Sequence, residues 1–263
     1  MKISVCGKGG SGKSTLVALL ASEFQRRGMK VLVVDSDESN AGLHRMLGLA
    51  GPPTPLMELA GGRKNVRRAM SAEAEEASVL AQDTIRPEDI PPEFVSARDG
   101  LRMVSIGKIH QALEGCACPI GVLTREFLKR LELVEGEIAL VDMEAGVEHF
   151  GRGVETSVDS VITVVEPSLE SIGLAERVKE LASTSGARFD GAVLNKIGSE
   201  EMARNLKEAL DSRDVKPLTA LRFYAEFVEA ALEGGPLPSD VASKEIAAVA
   251  DATVAPNRDR NAE

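Results

Sequence analysis

The chain has no tryptophan, a single tyrosine and three cysteines among 263 residues. With aromatics at 3%, the interior must be built from aliphatic side chains, and a 43% hydrophobic content is enough to build it. So few cysteines make no disulfide framework, which excludes the small stapled secreted domains and leaves spacing to decide whether the thiols are ligands or packing. No apolar run approaches the ~20 residues of a membrane span, and the first residues enter an apolar strand rather than a secretory leader, so a cytoplasmic protein is expected. Positive charge is also short. With 31 Lys and Arg against 41 Asp and Glu, the formal net charge is −10. Such a field repels phosphate backbones and anionic lipid, so neither nucleic acid nor membrane is expected as a partner.

What is present is concentrated at the start. The apolar run Ile3-Ser4-Val5-Cys6 precedes Gly7-Lys8-Gly9-Gly10-Ser11-Gly12-Lys13-Ser14, and an amphipathic segment from Thr15 to Arg27 follows. This is a complete Walker A loop in the setting it requires, strand before and helix after. Gly9, Gly10, Ser11 and Gly12 let consecutive backbone N–H groups turn toward anionic oxygens, and the helix N-terminus at Thr15 adds its positive dipole end. Lys13 is placed to reach the β- and γ-phosphates of ATP or the β-phosphate of ADP, and the Ser14 hydroxyl to ligate Mg²⁺. Lys8 is not demanded by phosphate cradling within one chain, so a second lysine in the loop implies a second task.

Beyond the loop, helical periodicities alternate with continuous apolar runs of the kind buried on both faces of a parallel sheet. Strands are expected at Lys30 to Val34, Leu101 to Ile106, Glu137 to Val141, Ser160 to Val165, Ala192 to Leu194 and Lys216 to Leu221. Helices are expected at Ile120 to Leu133, opened by Pro119, and at Leu169 to Ala182. The pattern predicts a three-layer α/β domain with a mostly parallel sheet flanked by helices on both faces, spanning residues 1–255 as one unit. A variable insertion near residues 50–100, rich in Pro, Gly and charge, is expected to be solvated, and the polar residues 256–263 to be a disordered tail.

Asp142 ends an apolar strand, the Walker B position, where a carboxylate orders the magnesium shell. The glycine-rich, charged segment after it, with Glu144 among the nucleotide-binding candidates, suits a switch that moves when the γ-phosphate leaves. Asp35, closing its strand, reads as structural, and Ser36 and Ser39 as turn residues. Cys116 and Cys118 lie two apart at a helix N-terminus, where the dipole favours thiolate. Two thiolates are half of a four-coordinate site, which a two-fold dimer would complete on its axis. Four thiolates suit tetrahedral Zn²⁺ and also hold Ni²⁺ in square-planar form. Cys6 reads as a small buried core residue.

The pattern K-G-G-x-G-K-S resembles the deviant Walker A ATPases, the group of MinD, ParA and the nitrogenase iron protein. That resemblance implies that Lys8 crosses a dimer interface to the partner's nucleotide and that Asp37 activates the attacking water, although Glu38 replaces the proline many relatives carry. It also implies that Asn195 and Lys196 contact the purine, with Arg222-Phe223-Tyr224 flanking it. Taken with D-x-D-x-x-N after the second strand, C-A-C-P in mid-chain and D-x-E-A-G-x-E-H-F-G-R-G after Asp142, the chain is similar to the CooC-type accessory ATPases of nickel carbon monoxide dehydrogenase and acetyl-CoA synthase. Met143 departs from the threonine common there. The resemblance implies a slow, switch-like ATPase, homodimeric in a nucleotide- and metal-dependent way, that delivers nickel to a client enzyme such as carbon monoxide dehydrogenase. His149 falls on the motif and is expected to hydrogen-bond within the switch rather than ligate metal; His44 and His110 receive no role. A MinD- or ParA-type positioning ATPase and an iron–sulfur carrier ATPase are the alternatives.

Overall fold

The structure is a computed structural model and describes residues 1–71, 80–108 and 118–254. Strand β1 (Lys2–Gly7) leads through the glycine-rich loop to α1 (Lys13–Arg26) and on to β2 (Lys30–Asp35). Short helices α2 (Leu43–Met46), α3 (Leu56–Leu59) and α4 (Gly62–Ser71) come next, then β3 (Ser96–Arg98) and β4 (Leu101–Ser105). After α5 (Cys118–Arg130) the chain continues as β5 (Glu137–Asp142), α6 (Glu148–Gly151), a 3₁₀ turn (Val154–Ser157), β6 (Ser160–Val165) and α7 (Leu169–Ser185). It closes with β7 (Arg188–Ile197), α8 (Glu200–Asp211), β8 (Pro217–Arg222), α9 (Ala225–Glu233) and α10 (Ser243–Val254).

The strands form one eight-stranded sheet in the order β3-β4-β2-β5-β1-β6-β7-β8. Every neighbouring pair is parallel except β3 with β4. Alternation along the strands divides the core into two sides. Ile3, Val5, Val31, Val33, Ile138 and Leu140 pack against α1 and α10, whereas Leu32, Val34, Val104, Ala139 and Val141 pack against α5 on the other face. β1 is central, so its carboxyl end and those of β2 and β5 open together at one sheet edge, where open α/β folds bind ligands.

Three sequence expectations are corrected. β3 was not foreseen: it is a three-residue antiparallel edge, joined to β4 by Asp99-Gly100, both at positive φ (47° and 82°), the Asp-Gly two-residue hairpin turn. α5 stops at Arg130, not Leu133, because Ile85 captures the backbone there, its N–H donating to Arg130 O and its carbonyl accepting from Glu132 N, each at 2.9 Å. The 50–100 stretch, expected to be solvated, instead inserts Leu56, Met57, Val66, Leu80, Ile85, Ile90 and Phe94 into the core that α5 shares. The expectations for Cys116, His110 and the 256–263 tail fall outside the described residues.

Candidate active site

The loop between β1 and α1 is shaped by contacts that only glycine permits at two positions. Gly7 has φ +149°, and a Cβ there would lie 2.7 Å from Val164 O. Gly12, at φ +103°, faces Asn195 so closely that a Cβ would come within 2.1 Å of its Nδ2. That same Nδ2 donates to Ser11 O at 2.7 Å, so Asn195, placed by sequence beside the base, here pins the loop. Its neighbour Lys196, at φ 60°, pairs with Glu166 at 3.0 Å. Lys8 reaches the same carboxylate at 3.4 Å. The two lysines together hold the Glu166 carboxyl below the usual range, the hydrogen bond from Lys196 being the larger cause.

Lys13 is buried, and among the described residues its ammonium makes one long hydrogen bond, to Lys8 O at 3.4 Å. Ser14 donates to Asp142 Oδ2 at 2.6 Å and accepts from Asn40 Nδ2 at 2.6 Å. The other Asp142 oxygen and Ser11 Oγ have no partner among the described residues. Asp142 is fully buried, and burial, aided by the charge of Asp35, raises its carboxyl to about 7 despite the Ser14 hydrogen bond and the nearby Lys13. Burial likewise raises Asp35 to about 6, with Lys108 pulling the other way. Asp37 is buried and its Oδ1 accepts from Ser39 N at 2.9 Å and Ser39 Oγ at 2.6 Å, so Ser39, read as a plain turn residue, orients it.

Crowded carboxylates beside a buried, barely partnered lysine fit a nucleotide with its magnesium. The lysine lacks an anion, the aspartates lack a cation, and the glycine cradle leaves room for phosphate. Lys108 was missed by sequence reasoning: it pairs with Asp35 Oδ2 at 2.7 Å and donates to the carbonyls of Asp37 and Asn40, closing the loop that carries Asp37 over the end of β2.

The segment after Asp142, expected to act as a switch, is tied to the phosphate loop and to α5. Gly146 N donates to Gly7 O at 3.3 Å, and Met143 N to Val5 O at 3.3 Å. Glu144 is engaged by Arg152. Arg152 in turn lies over the first turns of α5, so close that a Cβ on Gly121 would meet its Cδ at 2.2 Å, and Arg125 of α5 donates to Arg152 O at 3.3 Å. Cys118, half-buried, is the first residue of that helix. Cys6 is buried as expected but not idle: its Sγ lies 3.3 Å from His149 Nε2, so the core reading of Cys6 was incomplete.

Residues 3–237 match the family described as the CobQ/CobB/MinD/ParA nucleotide binding domain. The chain belongs to this family. The chain is similar to an uncharacterized ATP-binding protein of Methanocaldococcus jannaschii, 44% identical over 201 residues, which is 76% of this chain and 80% of that protein. The carbon monoxide dehydrogenase accessory protein CooC of Rhodospirillum rubrum is 33% identical over 199 residues, 76% of this chain and 75% of its own. Among solved structures, the septum site-determining protein MinD of Pyrococcus horikoshii with Mg-ADP aligns at TM-score 0.67 and 20% identity, covering 95% of this chain and 93% of that one, a likeness of fold. The P-loop family member is therefore an ATPase, with the three-layer sheet its sequence predicts. No helix among the described residues is long and apolar enough to cross a membrane.

Proposed function

We propose that this ATPase is a metal-delivering maturation factor, a homodimer gated by nucleotide, whose cargo is a divalent ion held by Cys116 and Cys118 of each subunit. The observation that carries the reading is Arg152: it holds Glu144 in the switch segment after Asp142 and lies against Gly121, one turn into the helix that Cys118 begins. A change at the phosphate end of the switch thus has a side-chain route to the start of the helix at Cys118. The similarity to the carbon monoxide dehydrogenase accessory protein CooC supports a carbon monoxide dehydrogenase as the client, and the motif resemblance favours nickel as the cargo and admits an acetyl-CoA synthase as client; the thiolate set accommodates zinc as well.

In this reading Lys13 and the loop N–H groups hold the phosphates, while Ser14, with Asp142 behind it, holds Mg²⁺. The ion supplies neutralisation of charge on the β- and γ-phosphate oxygens. Asp37, fixed by Ser39, accepts the proton of the attacking water. Lys8 leaves Glu166 for the partner's nucleotide, exchanging one anion for another, and that exchange joins the subunits. Thr15 and Gly9 to Gly12 complete the cradle, and Asn195 and Lys196 border the base. The acidic surface argues against a positioning ATPase that rides on DNA or lipid.

The test measures bound nickel and solution mass with no nucleotide, ADP and ATP, for the wild type and the Cys116→Ser/Cys118→Ser variant. ATP is expected to add one metal per two chains and to shift the wild type to a dimer. Loss of that ATP-dependent increment in the variant supports the reading; an undiminished increment ends it.

A further inference from the structure

On the face of the sheet away from α1, three buried side chains converge from separate segments. Cys6 comes from β1, His149 from α6 and Glu155 from the 3₁₀ turn that follows; they are 0%, 1% and 1% exposed. The imidazole Nε2 lies 3.3 Å from Cys6 Sγ and 3.0 Å from Glu155 Oε1, and one donor atom from each residue falls within 4.8 Å of the others. We propose that Cys6, His149 and Glu155 form an intrachain site for a borderline-soft divalent cation of the Zn²⁺ type, distinct from the thiol pair at Cys116 and Cys118.

Hydrogen bonding alone leaves this cluster unsatisfied. Nε2 carries at most one proton and faces two acceptors. If it donates to Glu155, the sulfur is left with only the Ser4 hydroxyl at 3.9 Å; if it accepts from a Cys6 thiol, the carboxylate is left without a donor. The geometry reflects this: neither oxygen of Glu155 receives a well-directed hydrogen bond among the described residues, and His149 Nδ1 has no partner there either. A buried carboxylate in that condition is costly.

A metal ion resolves all three atoms at once. Thiolate, carboxylate and neutral imidazole sum to −2, which one divalent cation cancels; the ring proton then sits on Nδ1, which keeps no acceptor among the described residues. In a tetrahedral zinc site with bonds of about 2.0 to 2.3 Å, donor atoms stand about 3.3 to 3.6 Å apart. The observed separations around Nε2 need adjust by only a few tenths of an ångström. Without an ion the cluster draws a proton instead: burial opposes the imidazolium, but Cys6 and Glu155 outweigh it and raise His149 to about 10. Three protein ligands leave a fourth position for water.

The placement gives the ion a consequence. β1 runs directly into the phosphate loop, and α6 with the 3₁₀ turn follows the switch segment, so an ion here cross-links the two and braces the switch against β1. Because all three ligands are buried, loading requires the 148–157 segment to open.

The chain has three cysteines, so in the Cys116→Ser/Cys118→Ser variant Cys6 is the only thiol. That variant, checked for fold by circular dichroism, is titrated with Co²⁺ alone, without nucleotide. The expected result is one cobalt per chain with a thiolate-to-cobalt charge-transfer band, abolished by Zn²⁺ competition and by the added Cys6→Ala or Glu155→Gln change. No stoichiometric cobalt, cobalt without the thiolate band, or cobalt retained in a folded Cys6→Ala protein overturns the proposal. Should Cys6→Ala not fold, the band in the parent variant decides alone. The readout uses neither Cys116 nor Cys118, so it stands or falls separately from the proposed delivery function.

Discussion

Two buried acidic clusters occupy opposite faces of one sheet edge, and they are balanced differently. Asp35 and Asp142 follow the strand alternation that faces α1, and Lys13 and Lys108 oppose them from within the chain. Cys6 and its partners face the other side, and among the described residues no lysine or arginine is paired with His149 or Glu155. The first cluster stands where the magnesium of a bound nucleotide fits. Fixed lysines keep its charge low enough to fold without the ion, yet aspartates raised to about 6 and about 7 show that the balance is incomplete. The second has only an imidazole, so its charge is settled by something exchangeable, a proton or an ion. In the two proposed readings, the nucleotide site carries its own countercharge, and the Cys6 site leaves that to the ion.

The comparison is tested hardest at Lys108. It is 14% exposed and pairs with Asp35, which is 2% exposed. Lys108→Met strands a buried carboxylate, and breaking such a pair costs about 3 kcal/mol or more. Asp35 has a folded pKa raised above its unfolded value, so its favourable contribution is complete below about 4, the ordinary aspartate value, and is lost as pH rises through about 6. The penalty of Lys108→Met, read by urea denaturation of the nucleotide-free protein, is therefore expected to be large at pH 8 and much smaller at pH 5. An equal penalty at both pH values would mean that Lys108 acts through its bonds to the Asp37 and Asn40 carbonyls rather than through charge.

A smaller effect of opposite sign is expected at Asp142. Its carboxyl is also raised, so the folded state is favoured at low pH and loses that advantage as pH climbs through about 7. Asp142→Asn removes the charge but keeps the shape. Without nucleotide it should match the wild-type melting temperature near pH 4 and exceed it by several degrees at pH 8. In the same protein Mg-ATP should no longer stabilise as it does in the wild type. A melting temperature lowered at every pH would show that the Ser14 hydrogen bond outweighs the repulsion.

These clusters also show where the sequence is informative. Parallel strands buried on both faces leave continuous apolar runs, so β2, β5 and β6 were legible with their ends nearly right, and Asp142 was found as the residue that closes one. The glycine pattern made the phosphate loop legible because its function depends on neighbours in sequence. Edge strand β3 has no apolar alternation in Ser-Ala-Arg, and only the Asp-Gly turn behind it carried a signal. Lys108 reaches back to Asp35, and His149 to Cys6, across contacts no local pattern encodes. Burial of Cys6 could be read from its strand; the imidazole beside it could not.

The smallest effect on stability, and a control for both clusters, belongs to Lys8. Its ion pair with Glu166 is 42% exposed on the lysine side and spans 3.4 Å, the kind of surface contact worth about 1 kcal/mol or less. Lys8→Ala should unfold in urea almost as the wild type does, with little dependence on pH, since Lys196 still holds Glu166 at 3.0 Å. The same substitution should abolish the ATP-driven shift in mass, measured by light scattering, because the lysine's work in the proposed dimer is done on the other subunit's nucleotide. A variant that dimerises normally with ATP would confine Lys8 to its own chain, and the balance of charge across the interface would then have to come from Lys196 or from the switch segments.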